Sequence, residues 1–276
     1  ELKLRFSIGK SGNDDIGEAS ATNYYNPVKY RETAGLYPAV IPNDRLTFET
    51  VSQMNSGIDL SLWGNRISAK FDYFVSNTIN MLTFSPMYAY LGYDIRMENG
   101  GEMKNRGWDF SSFIGIIDSH SFKWQIQTFL SSVNNQVTGI KGEQLITDLA
   151  GAQVVNRPGA PANSFYGYVY EGIYHTRDEA SGSGLVNAKG MAYQVGDAMF
   201  ADLSGPEGSP DGIINDYDKT IIGSSIPEYF GGLINSFSYR RWTLSGYVQF
   251  VYGNEIFNFV RYRNEQMTGL ANQSTT

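Results

Sequence analysis

Apolar and polar residues alternate with period two in segment after segment of this 276-residue chain, and that pattern commits it to strands with two unlike faces. In residues 54–62 one face carries Met54, Ile58, Leu60 and Leu62, and the other Asn55, Gly57, Asp59 and Ser61. Past a turn at Gly64-Asn65, residues 66–75 set Ile67, Ala69, Phe71, Tyr73 and Val75 against Arg66, Ser68, Lys70 and Asp72, which predicts a hairpin. Residues 108–117 and 122–133 predict a second hairpin around residues 118–121. A third joins residues 233–239 to residues 242–252 around Arg240-Arg241. Residues 2–8 add a strand with Leu2, Leu4, Phe6 and Ile8 opposite Lys3, Arg5 and Ser7. Apolar runs such as residues 113–117 are only a few residues long, whereas a membrane helix needs about 20. A chain of this kind crosses a bilayer with strands or not at all.

Three stretches, residues 9–47, 77–104 and 139–192, break the alternation and are expected to be long irregular loops of the kind that carry function. Short turns at one end and long loops at the other match an outer-membrane barrel. A soluble β-sandwich shows the same alternation, and periodicity alone leaves both open. Trp63, Tyr73, Trp108, Trp124, Trp242 and Tyr252 lie near strand ends, where a membrane girdle places aromatics. Thirty glycines and 35 Tyr and Phe residues suit sheets with many turns. A net charge of −7 repels phosphate backbones and argues against nucleic acid as a partner. The chain has no cysteine, so disulfides and thiol chemistry are excluded, while cytosol and Gram-negative envelope both remain open.

Residues 196–233 concentrate oxygen ligands: Asp202, Ser204, Asp211, Asn215 and Asp218 surround the turn Asp211-Gly212, and Ile213 and Ile214 follow it. This is hard-cation chemistry, with calcium the expected ion; an Asp/Gly/Pro turn without an ion is the alternative. No catalytic set emerges. His120 and His175 fall in separate predicted loops, Gly9-Lys10-Ser11 lacks the first glycine of a phosphate loop, and Glu98 with Glu102 is a glycosidase pair by residue type only. Tyrosines crowd the loops: Tyr24, Tyr25, Tyr30 and Tyr37, then Tyr88, Tyr90 and Tyr93, then Tyr166, Tyr168, Tyr170 and Tyr174. Tyr88, Tyr90, Tyr93, Tyr166, Tyr168 and Tyr170 are the expected contacts for a ligand or partner.

Four segments, in order, resemble the SusC/RagA-type TonB-dependent outer-membrane transporters of Bacteroidetes. They are LKLRFSIGKSGND from Leu2, NDRLTFETVSQMNSG from Asn43, NGGEMKNRGWDF from Asn99, and GDAMFADLSG with DGIIN and DYDKTIIGSSIPEYFGG from Gly196. Asp44 stands where that family has proline, Phe48 where it has tryptophan, and Asp109 where it has glutamate. Aligned on the last motif, Asp202, Ser204, Asp211, Asn215 and Asp218 take the first, third, fifth, ninth and twelfth positions of a calcium loop, with an insertion between Ser204 and Asp211. The resemblance implies an all-β fold: antiparallel hairpins of a large transmembrane barrel, about 8–10 of roughly 22 strands, with long extracellular loops. It implies one barrel domain over residues 1–276, from the C-terminal part of the barrel, with plug and signal peptide outside the chain. The implied function is TonB-dependent import of a large nutrient, a glycan or else a peptide, in an outer membrane. The implied partners are a SusD-like surface lipoprotein, the TonB complex and outer-membrane lipid. No enzymatic role is expected. A soluble or secreted β-sandwich that binds glycans as an adhesin is the rival reading, and a β-sheet glycosidase a third.

Overall fold

The computed structural model describes residues 1–13, 24–31, 33–40, 43–86 and 95–265. Its strands, in chain order, begin with β1 (Leu2–Asn13), β2 (Tyr24–Tyr30), β3 (Thr33–Val40), β4 (Glu49–Leu62), β5 (Ile67–Pro86), β6 (Ile95–Asp118) and β7 (Phe122–Ile140). Shorter ones follow: β8 (Leu145–Leu149), β9 (Ala152–Asn156), β10 (Ser164–Gly167), β11 (Tyr170–Ile173), β12 (Val186–Asn187), β13 (Ala198–Phe200), β14 (Ile213–Ile214) and β15 (Thr220–Gly223). The last two, β16 (Tyr229–Tyr239) and β17 (Trp242–Tyr252), are long again. Two compact units result. The first comprises Glu1–Leu145, Asn156–Ala162 and Ile226–Asn254; the second comprises Ile146–Val155, Asn163–Ser225 and Glu255–Thr276.

The first unit is built on a seven-stranded antiparallel sheet of order β1-β4-β5-β6-β7-β16-β17. β2 and β3 pair with each other as a separate ribbon, which brings the long strands to nine. The register keeps like residues in line across the sheet: Leu4 opposite Ile58, Ile58 opposite Phe71, Phe71 opposite Phe110, and Phe110 opposite Leu130. Its apolar face is the uncovered one. Leu4 is 72% exposed, Leu244 71% and Val248 64%, an arrangement that is costly in water and that a sandwich would reverse by packing this face inward. The structure thus removes the ambiguity left by periodicity.

Aromatic rows bound the apolar face. Tyr229 opens β16 and Tyr239 closes it, Trp242 and Tyr252 do the same for β17, and the register pairs Tyr229 with Tyr252 and Tyr239 with Trp242. Ten residue steps at about 3.4 Å run about 34 Å along the strand. At the usual barrel tilt of about 40–45° they rise about 25 Å, the height of a transmembrane apolar band. On the Tyr229 row, Tyr73 pairs with Trp108, and the Trp108 and Tyr229 rings lie 6.4 Å apart. Toward the other row, Trp124 stacks on Phe237 with centroids 5.5 Å apart.

Among their described residues, two of the stretches expected to be irregular are largely strand. β5 and β6 continue as a ladder through Pro86 and Ile95, past register shifts between Thr78 and Leu82. Asn80 there has φ 56°. Such a bulge changes which face each residue takes, so the alternation is lost in the sequence while the ladder persists. β1 likewise runs on to Asn13, opposite Glu49. Its last five residues are Gly, Lys, Ser, Gly and Asn, held by backbone pairing beyond the apolar band. The third stretch, residues 139–192, holds β8 to β11 and a short helix, α1 (Arg177–Gly182). Thr176 and Glu179 close a capping box on α1, satisfying N–H groups that a helix start leaves unpaired.

The resemblance motifs act locally as clamps. Asn99 donates to the Thr47 and Asn80 carbonyls and accepts from the Thr47 N–H at 2.8 Å. Buried Asn43 donates to the Met97 carbonyl. Glu98 is buried beside Lys141, and Glu102 lies against Gly139. These acids serve the sheet.

The second unit holds a four-stranded sheet, β15-β10-β9-β8, the pair β11-β13 and the parallel pair β12-β14. Val154, Val155, Tyr174, Ala180 and Ile214 are buried in it.

Candidate functional site

On the polar face of the first unit, Arg5 from β1 reaches across β4. Its guanidinium meets Asp59 at 2.8 Å and 3.0 Å, and Asp72 on β5 at 2.8 Å and 2.9 Å. Gly57 makes this possible. A Cβ there would sit 2.3 Å from Asp72 Oδ1 and 2.8 Å from Arg5 Cζ, so the side chain of any other residue would displace the fork. Further along the same face Ser131 donates to Asp109 at 2.6 Å, and Ser236 and Ser245 lie 2.9 Å apart. Opposite the apolar face, then, the sheet presents paired charges and hydroxyls, the lining of a water-filled lumen.

The acidic segment of the second unit folds into a self-satisfied turn. Asp202 accepts from the N–H of Gly212 at 2.7 Å and of Asp211 at 3.4 Å, and Asp211 accepts from Ile213 N–H. Gly212 has φ +80°, a conformation open to glycine at little cost. Asn215 caps a 3₁₀ turn at Asp216–Asp218 and accepts from Tyr217 N–H. Asp218 is fully buried and accepts from Leu203, Ser204 and Asn215 N–H. Burial pushes its carboxyl up, but the N–H groups of Asn215, Ser204 and Leu203 outweigh it and hold it below the usual carboxylate range. Ser204 turns its hydroxyl to the Gly205 carbonyl.

The five expected calcium ligands are therefore brought into one turn, where Asp202, Asp211, Asn215 and Asp218 accept from backbone N–H groups and Ser204 donates to a carbonyl. Among the described residues no three His, Asp or Glu side chains converge as a metal site. The insertion Gly205–Pro210 lies between Ser204 and Asp211, and Asp202 closes it by accepting from the N–H groups of Asp211 and Gly212.

A cavity of about 530 Å³ opens beside the four-stranded sheet of this unit. Phe165, Tyr166, Tyr168, Ile222, Ile256 and Phe257 form its apolar wall, and Asp148, Gln153, Lys219 and Glu255 its polar groups. Lys219 ties the polar edge together: its ammonium lies 2.8 Å from Asp216, 3.1 Å from Gln153 Oε1, and 5.4 Å from the Tyr168 ring centroid. The Asp216 contact raises the lysine pKa, so it stays charged. Burial raises the Tyr168 hydroxyl above its ordinary range. Glu255 accepts from Ser224 N–H and Asp148 from Gly151 N–H.

Of the tyrosines expected to contact a ligand, Tyr166 and Tyr168 line this cavity. Tyr170 packs on Phe200 instead and is 60% exposed. Tyr88, Tyr90 and Tyr93 lie outside the described residues. Gln153, Lys219 and Glu255 carried no signal in the sequence because they come from three separate segments, each short and locally unremarkable. His120 sits in the β6–β7 turn, and the His175 N–H binds Glu179 ahead of α1. Neither enters a catalytic arrangement among the described residues.

No family model matches the chain. Curated proteins do. TonB-dependent receptor P3 of Formosa agariphila is 30% identical over 268 residues, covering 93% of this chain and 26% of the relative. TonB-dependent receptor SusC of Bacteroides thetaiotaomicron is 24% identical over 298 residues, covering all of this chain and 27% of the relative. The chain thus spans about a quarter of the length of the relatives it matches. Among solved structures, the RagAB peptide transporter superposes with a TM-score of 0.79 at 24% identity, over 98% of this chain and 28% of that one. The closed-closed state of the RagAB peptide importer gives 0.78. At that identity the superposition speaks for fold, and the fold is that of a barrel segment. Sheet, lipid-ready face, ordered motifs and relatives agree: the chain belongs to the SusC/RagA family of TonB-dependent receptors of the Bacteroidetes outer membrane, as an incomplete stretch of its transmembrane β-barrel.

Proposed function

We propose that the receptor containing this chain imports a large nutrient, a glycan, through the outer membrane in a TonB-dependent cycle, closed on the outside by a SusD-like surface lipoprotein. The observation that supports this reading best is the two-faced sheet: an uncovered apolar face about 25 Å tall between aromatic rows, backed by a face of paired charges and hydroxyls. Such a wall separates lipid from water and has no use in a soluble adhesin. Glycan is favoured over peptide by the aromatic cavity of the second unit, whose flat tyrosine and phenylalanine faces suit sugar rings. Peptide is the second reading, favoured by the RagAB neighbours, which are described as peptide transporters.

Uptake of fluorescent oligosaccharides and peptides by cells with and without the receptor tests the proposal. The expected outcome is oligosaccharide accumulation that vanishes without the receptor, without TonB, or without the lipoprotein. Accumulation of peptides alone turns the reading to the second substrate class. Accumulation of neither class rejects import of both.

A further inference from the structure

We propose that the cavity of the second unit is a binding subsite for one ring of an uncharged saccharide, and that its charge arrangement discriminates against acidic sugars. The argument starts from size and shape. At about 530 Å³ it falls within the range of small-molecule sites, about 300–1,000 Å³. One side is aromatic and aliphatic, from Tyr166, Phe165, Phe257 and Ile256, and receives the C–H face of a sugar ring.

The polar side supplies donors and acceptors together. Gln153 gives its Oε1 to Lys219, and its amide N–H groups make no hydrogen bond among the described residues. Lys219 spends two of its three N–H donors on Asp216 and Gln153. Glu255 and Asp148 each have one carboxylate oxygen bound to a backbone N–H, of Ser224 and Gly151 respectively, and the other oxygen makes no hydrogen bond among the described residues. A hydroxyl both donates and accepts, so a row of ring hydroxyls uses such a mixed set fully.

Charge narrows the ligand further. The one cation on the lining, Lys219, is neutralised by Asp216, whereas Asp148 and Glu255 form no ion pair among the described residues. A carboxylated or sulfated sugar would meet two carboxylates with no cation to offset them. A neutral ring escapes that repulsion. The same two carboxylates would attract a cationic group, and what favours a sugar over it is the aromatic wall with its mixed donors and acceptors. Only the presence of sugar at the site rests on the glycan-import reading; the selectivity follows from the lining itself.

The test is equilibrium binding to the full-length receptor in detergent. The probes are a panel of uncharged hexose and pentose oligosaccharides, oligouronates of matched length, and a lysine-rich peptide. The expected result is binding of an uncharged oligosaccharide over both charged probes. Tyr166→Ala and, separately, Gln153→Ala should each weaken it by about tenfold, about 1.4 kcal/mol. Asp216→Asn, at a side chain 87% exposed, frees the Lys219 charge and should strengthen oligouronate binding several-fold relative to neutral binding. Having two wall variants guards against misfolding of either. Unchanged neutral binding in both wall variants, no neutral binding in the parent, or preference for either charged probe overturns the proposal. Uptake separates the two readings. Absence of neutral binding in the parent with uptake intact removes the subsite and keeps the importer, and intact neutral binding in the parent without uptake does the reverse.

Discussion

The first unit spreads its chemistry along a sheet, while the second folds its chemistry into turns. In the sheet, Leu4, Ile58, Phe71, Phe110 and Leu130 fall on one face because each strand alternates and the register aligns the strands. The wall can be read residue by residue from the period. In the second unit the cavity groups come from Gln153, Tyr166, Lys219 and Glu255, and no period links them. The contrast teaches that this chain encodes its solvent in local pattern and its cavity lining in long-range loop closure.

The two units are open to separate challenge. The largest effect is expected for Val248→Arg, which sets a charge on the apolar face between the Trp242 and Tyr252 rows. It should cost about 2–4 kcal/mol near mid-bilayer, measured by chemical unfolding of the receptor in vesicles. Gln249→Arg, one residue along on the polar face, should cost little. Equal costs would erase the difference between the faces.

In the second unit, Asp218→Asn removes the charge from three N–H hydrogen bonds. It should cost about 1.5–3 kcal/mol, seen as faster amide exchange at Leu203, Ser204 and Asn215. Acid should act in the same way. Because the folded carboxyl titrates below its unfolded counterpart, its stabilisation is complete above the ordinary carboxylate range and is lost as the pH falls through the folded value. Intrinsic-rate-corrected exchange at Leu203 and Ser204 should rise on acidification in the parent and stay level in Asp218→Asn, and added calcium should leave it unchanged.

Gly57→Val presses on Arg5 and Asp72 in the first unit and should cost about 1–3 kcal/mol by overpacking, with a lowered unfolding midpoint. Gly9→Val on β1, where a Cβ meets nothing within 4 Å, is the matched control. The smallest effect belongs to Thr176→Ala, which opens the α1 capping box for about 1 kcal/mol and should show only as local exchange near α1.

Much of the wall was legible before any coordinates. The three hairpins, their turns at Gly64-Asn65, residues 118–121 and Arg240-Arg241, and the aromatic strand ends all follow from period two and turn chemistry. The extensions of β5 and β6 were hidden because the bulge near Asn80 breaks the phase. The Arg5, Asp59 and Asp72 cluster was visible only as three residues on polar faces, since their meeting depends on register and on the gap at Gly57. In the acidic segment, residue types suggested an ion, and the fold adds backbone N–H groups bound to oxygens of Asp202, Asp211, Asn215 and Asp218. Spacing in sequence says which oxygens are near, and not what they bind.

The central claim is that one face of the sheet meets lipid and the other water. Single cysteines placed in turn along β17, from Trp242 to Tyr252, in a cysteine-free full-length receptor in vesicles test it most directly, with a membrane-impermeant thiol reagent as the probe. The account predicts labelling with period two, strong at positions 243, 245, 247, 249 and 251 and weak at 244, 246, 248 and 250. Uniform labelling along the strand, or labelling in the opposite phase, would contradict it.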